Sequence, residues 1–210
     1  MDGVTLDTEP LYTSAEINLF KEYGVKIPEE DWSLFRGSSE KTFYELTMKK
    51  YQIKEDFNIF MEKGRQYVRN EFNKKIPFMD GFKMLHKRIS PFFLMGLVTA
   101  SPIQMLNKIN KTIKLNMFFD QLLSGEKAKK NKPHPAPYIL MMNVLNIIPQ
   151  NTIIIEDSLT GINSALSSGA HVVAKTGSVP TKKLQHINNI IDHLDEITVE
   201  FLEDILQSTK

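Results

Sequence analysis

The sequence predicts an α/β fold, a doubly wound parallel sheet joined to a helical module near the N-terminus. Three observations lead there. Apolar runs of strand length at 92–98, 152–155 and 171–174 are continuous rather than alternating, the pattern of strands covered on both faces. From Pro77 onward these runs alternate with helical stretches, which argues a parallel sheet with helices on its faces. Residues 11–75 instead carry helical periodicity with no strand-like alternation.

Taken in order, the chain opens Met1-Asp2-Gly3-Val4-Thr5-Leu6-Asp7-Thr8-Glu9-Pro10, an acidic turn of the kind that follows a buried strand, and no strand residues stand before it. In the helical module, Tyr12, Ala15, Leu19 and Tyr23 fall near 3.6-residue spacing. So do Phe43, Leu46 and Lys50 with Tyr51, and then Phe57, Phe60, Gly64, Tyr67 and Phe72. Gly24 and Pro28 end the first helix, and Arg36-Gly37-Ser38-Ser39-Glu40 offers a turn, a serine cap and an acid to start another. Later helices are expected near 81–89, 102–114, 136–147, 160–168 and 196–207, the second of them with Ser101 as N-cap and Pro102 as its first residue. The resulting domains are a core of 1–10 with 77–210 and a helical module of 11–76. Ligands of such sheets bind beyond the carboxyl ends of the strands, where Thr99, Glu156 and Asp157 fall.

Composition excludes several classes. Among 210 residues, 26 basic side chains face 25 acidic ones, and a net charge of +1 without a basic stripe gives no reason to expect nucleic acid or an anionic membrane as partner. Of the four lysines in 127–132, Lys127, Lys129 and Lys130 read as a solvated loop. The absence of cysteine excludes thiol nucleophiles, thiolate metal sites and disulfides. The longest apolar run, Phe92 to Val98, is too short to span a bilayer, and the N-terminus lacks the basic start and apolar run of a secretion signal. A cytoplasmic protein is the expectation.

Four motifs stand in order along the chain: Asp2-Gly3-Val4 with Asp7-Thr8-Glu9-Pro10; Leu97-Val98-Thr99-Ala100-Ser101; Lys132-Pro133-His134-Pro135; and Ile153-Ile154-Ile155-Glu156-Asp157-Ser158, followed by Gly161-Ile162-Asn163-Ser164-Ala165 and Ser168-Gly169-Ala170. In type, order and spacing they resemble the haloacid dehalogenase-like superfamily of phosphohydrolases, in the branch of helical-capped phosphatases and β-phosphoglucomutases. The resemblance implies a Rossmann-like core with a helical cap domain inserted after the first motif. It matches Asp2 to the second of two carboxylates that leave one strand on the same side, and puts the first, the nucleophile, one residue before Met1. The strand bearing that residue is central in the family, so its loss would leave two neighbours with unpaired backbone groups, at about 1 to 3 kcal/mol each. The expectation is therefore that the sequence is a shortened version of a longer product.

The implied chemistry is phosphoryl transfer from a small-molecule phosphate ester. The nucleophile would form an aspartyl-phosphate, and Asp2 would protonate the leaving oxygen and then take a proton from water. Thr99, Ala100 and Ser101 would bind phosphate at a helix N-terminus, and Lys132, in a loop stiffened by Pro133, Pro135 and Pro137, would hold phosphoryl group and nucleophile. A carboxylate cannot approach a phosphate dianion unaided, so Mg2+ is expected, with Asp157, Glu156 and the backbone carbonyl of Asp2 as its ligands. The alternative reading of Glu156-Asp157 is a helix cap before Leu159. Ala136 stands where the family often has an acid, so no acidic partner is expected for Lys132. Neither His134 nor His171 is assigned a catalytic role.

Glu9, Arg36 and Lys63 of the helical module are candidates for substrate specificity. Tyr12 and Glu40 stand where β-phosphoglucomutases carry a histidine and an arginine, and neither can substitute: tyrosine is a poor proton shuttle near neutral pH and glutamate would repel a second phosphate. A Mg2+-dependent phosphatase of a small phosphorylated metabolite, such as a sugar phosphate, is thus favoured over a phosphomutase. An inactive phosphate- and metal-binding module is the third alternative, for a chain that is complete as given.

Overall fold

The computed structural model describes residues 1–35 and 40–208. It divides into two compact units, Thr8–Ile76 and Met1–Asp7 with Pro77–Lys210.

The first unit is helical, with α1 Glu9–Glu22, α2 Glu29–Phe35, α3 Glu40–Lys50 and α4 Phe57–Lys74. Pro10 sits in the first turn of α1, where its missing N–H costs nothing. Asp56 caps α4 by accepting from the backbone of Asn58 and Ile59. The core gathers Leu19, Phe20, Trp32, Phe43, Tyr44 and Phe60. Phe60 is fully enclosed, with Phe20, Tyr23 and Tyr44 edge-on at 5.7, 5.1 and 5.5 Å, the arrangement that aromatic quadrupoles favour. Leu46, expected on the inner face of α3, is exposed, and Thr47 is buried in its stead. The Thr47 hydroxyl satisfies itself on the Phe43 carbonyl at 2.8 Å, which makes the polar residue tolerable inside. The anticipated serine cap and Arg36 lie outside the described residues.

The second unit contains α5 Phe82–Ile89, β1 Gly96–Thr99, α6 Ile103–Ile113, β2 Gln121–Ser124, α7 Ala136–Leu145, β3 Ile153–Glu156, α8 Leu159–Ser167, β4 His171–Lys175, β5 Asn189–Ile191 and α9 Val199–Gln207. β1 is shorter than the apolar run that predicts it. The backbone N–H groups of Phe92 and Phe93 both turn back to the Ile89 carbonyl at 3.0 Å, which commits the start of the run to a turn after α5 and leaves Phe92 and Leu94 exposed.

All strand pairs are parallel, and they form two pieces: β1 with β2, and β3-β4-β5. β1 and β3 are not hydrogen-bonded to each other. Both pieces nevertheless share an apolar layer, and a second layer packs on β3, β4 and β5. Val98, Leu123, Ile154 and Val172 pack with Tyr138, Met142 and Ile162 of α7 and α8. Met95, Ile153, Ile155 and Val173 pack on the other side with Phe82, Leu85, Leu202 and Ile205 of α5 and α9. Helices therefore cover both faces of the strands, as the continuous apolar runs require. Thr99 and Glu156 are the last residues of β1 and β3.

Candidate active site

The N-terminal turn is fixed before any functional group is considered. Thr5 and Leu6 donate backbone hydrogen bonds to the Met1 carbonyl at 2.8 and 3.0 Å, Asp7 donates to Pro77 at 3.1 Å and Met79 to Thr5 at 2.9 Å. Leu6 is wholly buried and anchors the turn in the unit. Gly3 takes φ +71°, and a Cβ there would overlap the Asp157 carboxylate. Only glycine combines that backbone conformation with that approach, so the first and fourth motifs meet through it. Asp2, part-exposed, forms an isolated bridge to Leu6.

Lys132 ties the ends of β1 and β3 together. Its ammonium donates to Glu156 Oε1 at 2.5 Å and to the Val98 carbonyl at 3.4 Å, and it lies 4.7 Å from the centre of the Tyr138 ring. The Tyr138 hydroxyl donates to the same Glu156 oxygen. Ser158 donates to Oε2 at 3.2 Å while capping α8 through the Gly161 N–H, and a Cβ on Gly161 would overlap the carboxylate. Burial alone would raise the Glu156 carboxyl; the Lys132 charge, the chain's amino group and the two donors outweigh it and hold the acid below its usual range. Contrary to expectation, Lys132 does have an acidic partner, and it comes from the end of β3. Glu156, predicted as a metal ligand, has both oxygens engaged by protein donors.

Asp157 differs from its neighbour. Burial pushes its carboxyl above the ordinary value, and the hydroxyl of Ser178, at 2.5 Å from Oδ2, opposes that only in part. No lysine or arginine among the described residues is paired with it. No group of three or more histidine, aspartate and glutamate side chains among the described residues is arranged to hold a metal. Magnesium, however, takes one or two carboxylates with waters and substrate oxygens rather than an all-protein cage. A buried hard-oxygen donor with its charge unmatched by a side-chain cation, beside the turn of Asp2 and Gly3, fits such an ion; Asp157 would hold it and Asp2 would adjoin it.

The predicted phosphate loop is built differently from expectation. Thr99 is buried and its Oγ1 accepts from the Ser101 N–H at 3.0 Å. Ser101 does not cap α6: the helix begins at Ile103, after Pro102 in an extended conformation, and no side chain of the loop caps it. The Ile103 N–H is taken by Glu126 Oε2 at 2.7 Å, from the turn after β2. Ser101 is held instead through its carbonyl, which accepts from the Ser124 hydroxyl at 2.8 Å, and Ala100 between them is exposed. His134 stiffens the lysine loop, its Nδ1 accepting from the Ala136 N–H at 3.1 Å and its carbonyl from the Ser164 hydroxyl at 2.7 Å.

Within the helical unit, Lys63 donates to the Tyr23 hydroxyl at 2.8 Å and to Glu55 at 3.3 Å. Glu40 is bonded twice by Arg65, at 2.9 and 2.7 Å, and Tyr12 packs edge-on against Phe72. Glu9 opens α1 and lines a shallow depression with Pro10, Thr13 and Asn18. Sequence reasoning missed Tyr138 and Ser178. A tyrosine in the apolar run of α7 is a signal in retrospect, since a buried hydroxyl requires a partner; Ser178 carries none.

Residues 1–175 match the family model of the haloacid dehalogenase-like hydrolases. The chain belongs to this family. Among curated relatives of this hydrolase, a phosphorylated carbohydrates phosphatase of Thermotoga maritima is 28% identical over 174 residues, covering 80% of the chain and 79% of the relative. Hexitol phosphatase B of Escherichia coli is 26% identical over 173 residues, 77% and 74% of the two chains. Among solved structures, a haloacid dehalogenase-type hydrolase of Entamoeba histolytica superposes with a TM-score of 0.81 at 22% identity, over 99% of this chain and 96% of that one. A β-phosphoglucomutase of Clostridium difficile gives 0.75 at 24%, over 99% and 95%. At these identities the structures establish the fold, an α/β core with helices. No helix among the described residues of the hydrolase is long and apolar enough to cross a membrane.

Proposed function

We propose that this hydrolase is a magnesium-dependent phosphatase of a small phosphorylated carbohydrate or similar monoester, working as a monomer in the cytoplasm. The observation that carries the reading is Lys132, its ammonium held on the Val98 carbonyl of β1 and on Glu156 at the end of β3 with only 10% of its side chain exposed. An ammonium fixed at the ends of two strands is the preorganised charge that phosphoryl transfer needs. The names of the curated relatives favour carbohydrate phosphates.

In this reading the reaction passes through an aspartyl-phosphate, which water then hydrolyses. Asp2 protonates the leaving oxygen and afterwards accepts the proton of the attacking water. Lys132 holds a phosphoryl oxygen, its orientation fixed by Glu156, and the Thr99 loop borders the same group. Asp157 would hold magnesium, which would supply the positive charge that lets a carboxylate approach the phosphate dianion. Glu9, Arg36 and Lys63 remain candidates for substrate choice.

The test is release of inorganic phosphate by the protein from a panel that includes hexitol phosphates, fructose 1-phosphate, 6-phosphogluconate and β-glucose 1-phosphate. Magnesium-dependent release, abolished by a chelator and by Asp157→Asn, is expected. Interconversion of glucose phosphates without release would replace the phosphatase by a mutase, and magnesium binding without turnover would replace it by a binding module.

A further inference from the structure

Tyr138 touches both members of the Lys132–Glu156 pair. Its hydroxyl donates to the Glu156 oxygen that also receives Lys132, and its ring face lies against the lysine ammonium. The residue is 6% exposed, held in the layer formed by Met141, Met142 and Ile162. A buried tyrosine needs one acceptor for its hydroxyl, and a backbone carbonyl would serve any purely structural purpose. Here the acceptor is the counterion of the lysine that faces the strand ends. Ser158 holds the other carboxylate oxygen and the Gly161 backbone walls it in, so Glu156 cannot turn away. The ammonium in turn is confined by three contacts: the carboxylate, the Val98 carbonyl and the ring.

We infer that Tyr138 is a positioning residue which, through its hydroxyl on Glu156 and its ring face on the ammonium, fixes Lys132 for binding a phosphoryl group. The inference rests on the phosphatase reading for its ligand, orthophosphate being the probe, but not for its geometry. Two measurements separate them. In protein labelled with 15N-lysine, the Lys132 ammonium resonance is identified by its disappearance in Lys132→Met, and orthophosphate affinity is measured by titration. In the native protein that resonance exchanges slowly with water. In Tyr138→Phe, which keeps the ring and hence the packing, exchange quickens and orthophosphate binds about tenfold more weakly, the scale of one hydrogen bond to a charged group. Glu156→Gln, which keeps the shape of the partner, gives the same loss of slow exchange. In each variant, unchanged backbone amide spectra elsewhere exclude general loosening of the core.

A Tyr138→Phe protein whose Lys132 resonance and orthophosphate affinity both match the native values overturns the inference. So does weakened binding with an unchanged resonance, since the effect would then not pass through the lysine. If native protein binds no orthophosphate while the resonance still responds to loss of the hydroxyl, the phosphatase reading falls and the positioning of Lys132 by Tyr138 stands.

Discussion

Both units bond a lysine and a tyrosine to a shared carboxylate, and the triad at Asp31 in the helical unit behaves differently from the one at Glu156 in the α/β unit. In the helical unit, Asp31 of α2 receives Lys50 at 2.8 Å on one oxygen and Tyr51 at 2.6 Å on the other. In the α/β unit, Lys132 and Tyr138 converge on one oxygen of Glu156. The donors to Asp31 are sequence neighbours at the end of α3, so that triad staples one helix to another. The donors to Glu156 come from a loop and from α7, and their acceptor ends a strand beside a second buried carboxylate. Lys50 keeps 40% of its side-chain surface and Lys132 only 10%. The same three groups therefore make a fastening where water reaches the cation, and a charged fixture where it does not. Enclosure and neighbours make the difference, because an ion pair gains strength as its dielectric surroundings fall.

The comparison breaks most sharply at the lysines. Lys132→Met should lower phosphate turnover by about 100- to 1,000-fold, the usual effect of losing one preorganised donor, and should cost about 3 to 5 kcal/mol of stability by stranding a buried carboxylate. Lys50→Met should leave turnover unchanged. Denaturant unfolding and steady-state assays on the two variants check both statements, and a comparable loss of turnover in each would dissolve the contrast. Phe60→Ala tests what else holds the helical unit: loss of the ring at the centre of its aromatic cluster should cost about 3 to 5 kcal/mol, read from the unfolding midpoint.

Acidification sharpens the comparison in the helical unit. The hydrogen bonds from Lys50 and Tyr51 hold the Asp31 carboxyl below its ordinary value of 3.8. An acid depressed by folding contributes stability above its unfolded pKa and loses it as pH falls through the folded one. Thermal unfolding should therefore show the native protein losing an increment below pH 3.8 that Asp31→Asn lacks; parallel curves for the two would mean that the triad is not a fastening. The smallest effect is expected at the exposed pair Lys41–Glu45, 3.7 Å apart on α3. Glu45→Ala should change stability by no more than about 0.5 kcal/mol, measured by the same denaturant unfolding.

Much of this arrangement was legible in the sequence. The helices of the α/β unit fall within a few residues of their expected places because each carries an apolar period bounded by turn residues. Thr99, Glu156 and Asp157 were placed at strand ends because strands with both faces covered read as unbroken apolar runs. β2 and β5 were not legible, since Gln121–Ser124 and Asn189–Ile191 are short and carry polar residues that hide the pattern. The start of α6 was misread at Ser101 because its cap is Glu126, supplied across the fold from after β2. Nothing local to Glu156 announces that a lysine 24 positions earlier and a tyrosine 18 positions earlier will share its Oε1.

Isothermal titration of orthophosphate, with and without magnesium, into native protein, Lys132→Met and Lys50→Met tests the central claim that the lysine bridging β1 and β3 makes the phosphate site. Binding strengthened by magnesium in the native protein, kept in Lys50→Met and lost in Lys132→Met, is the predicted result. Equal binding by all three proteins, or none by the native one, would contradict it.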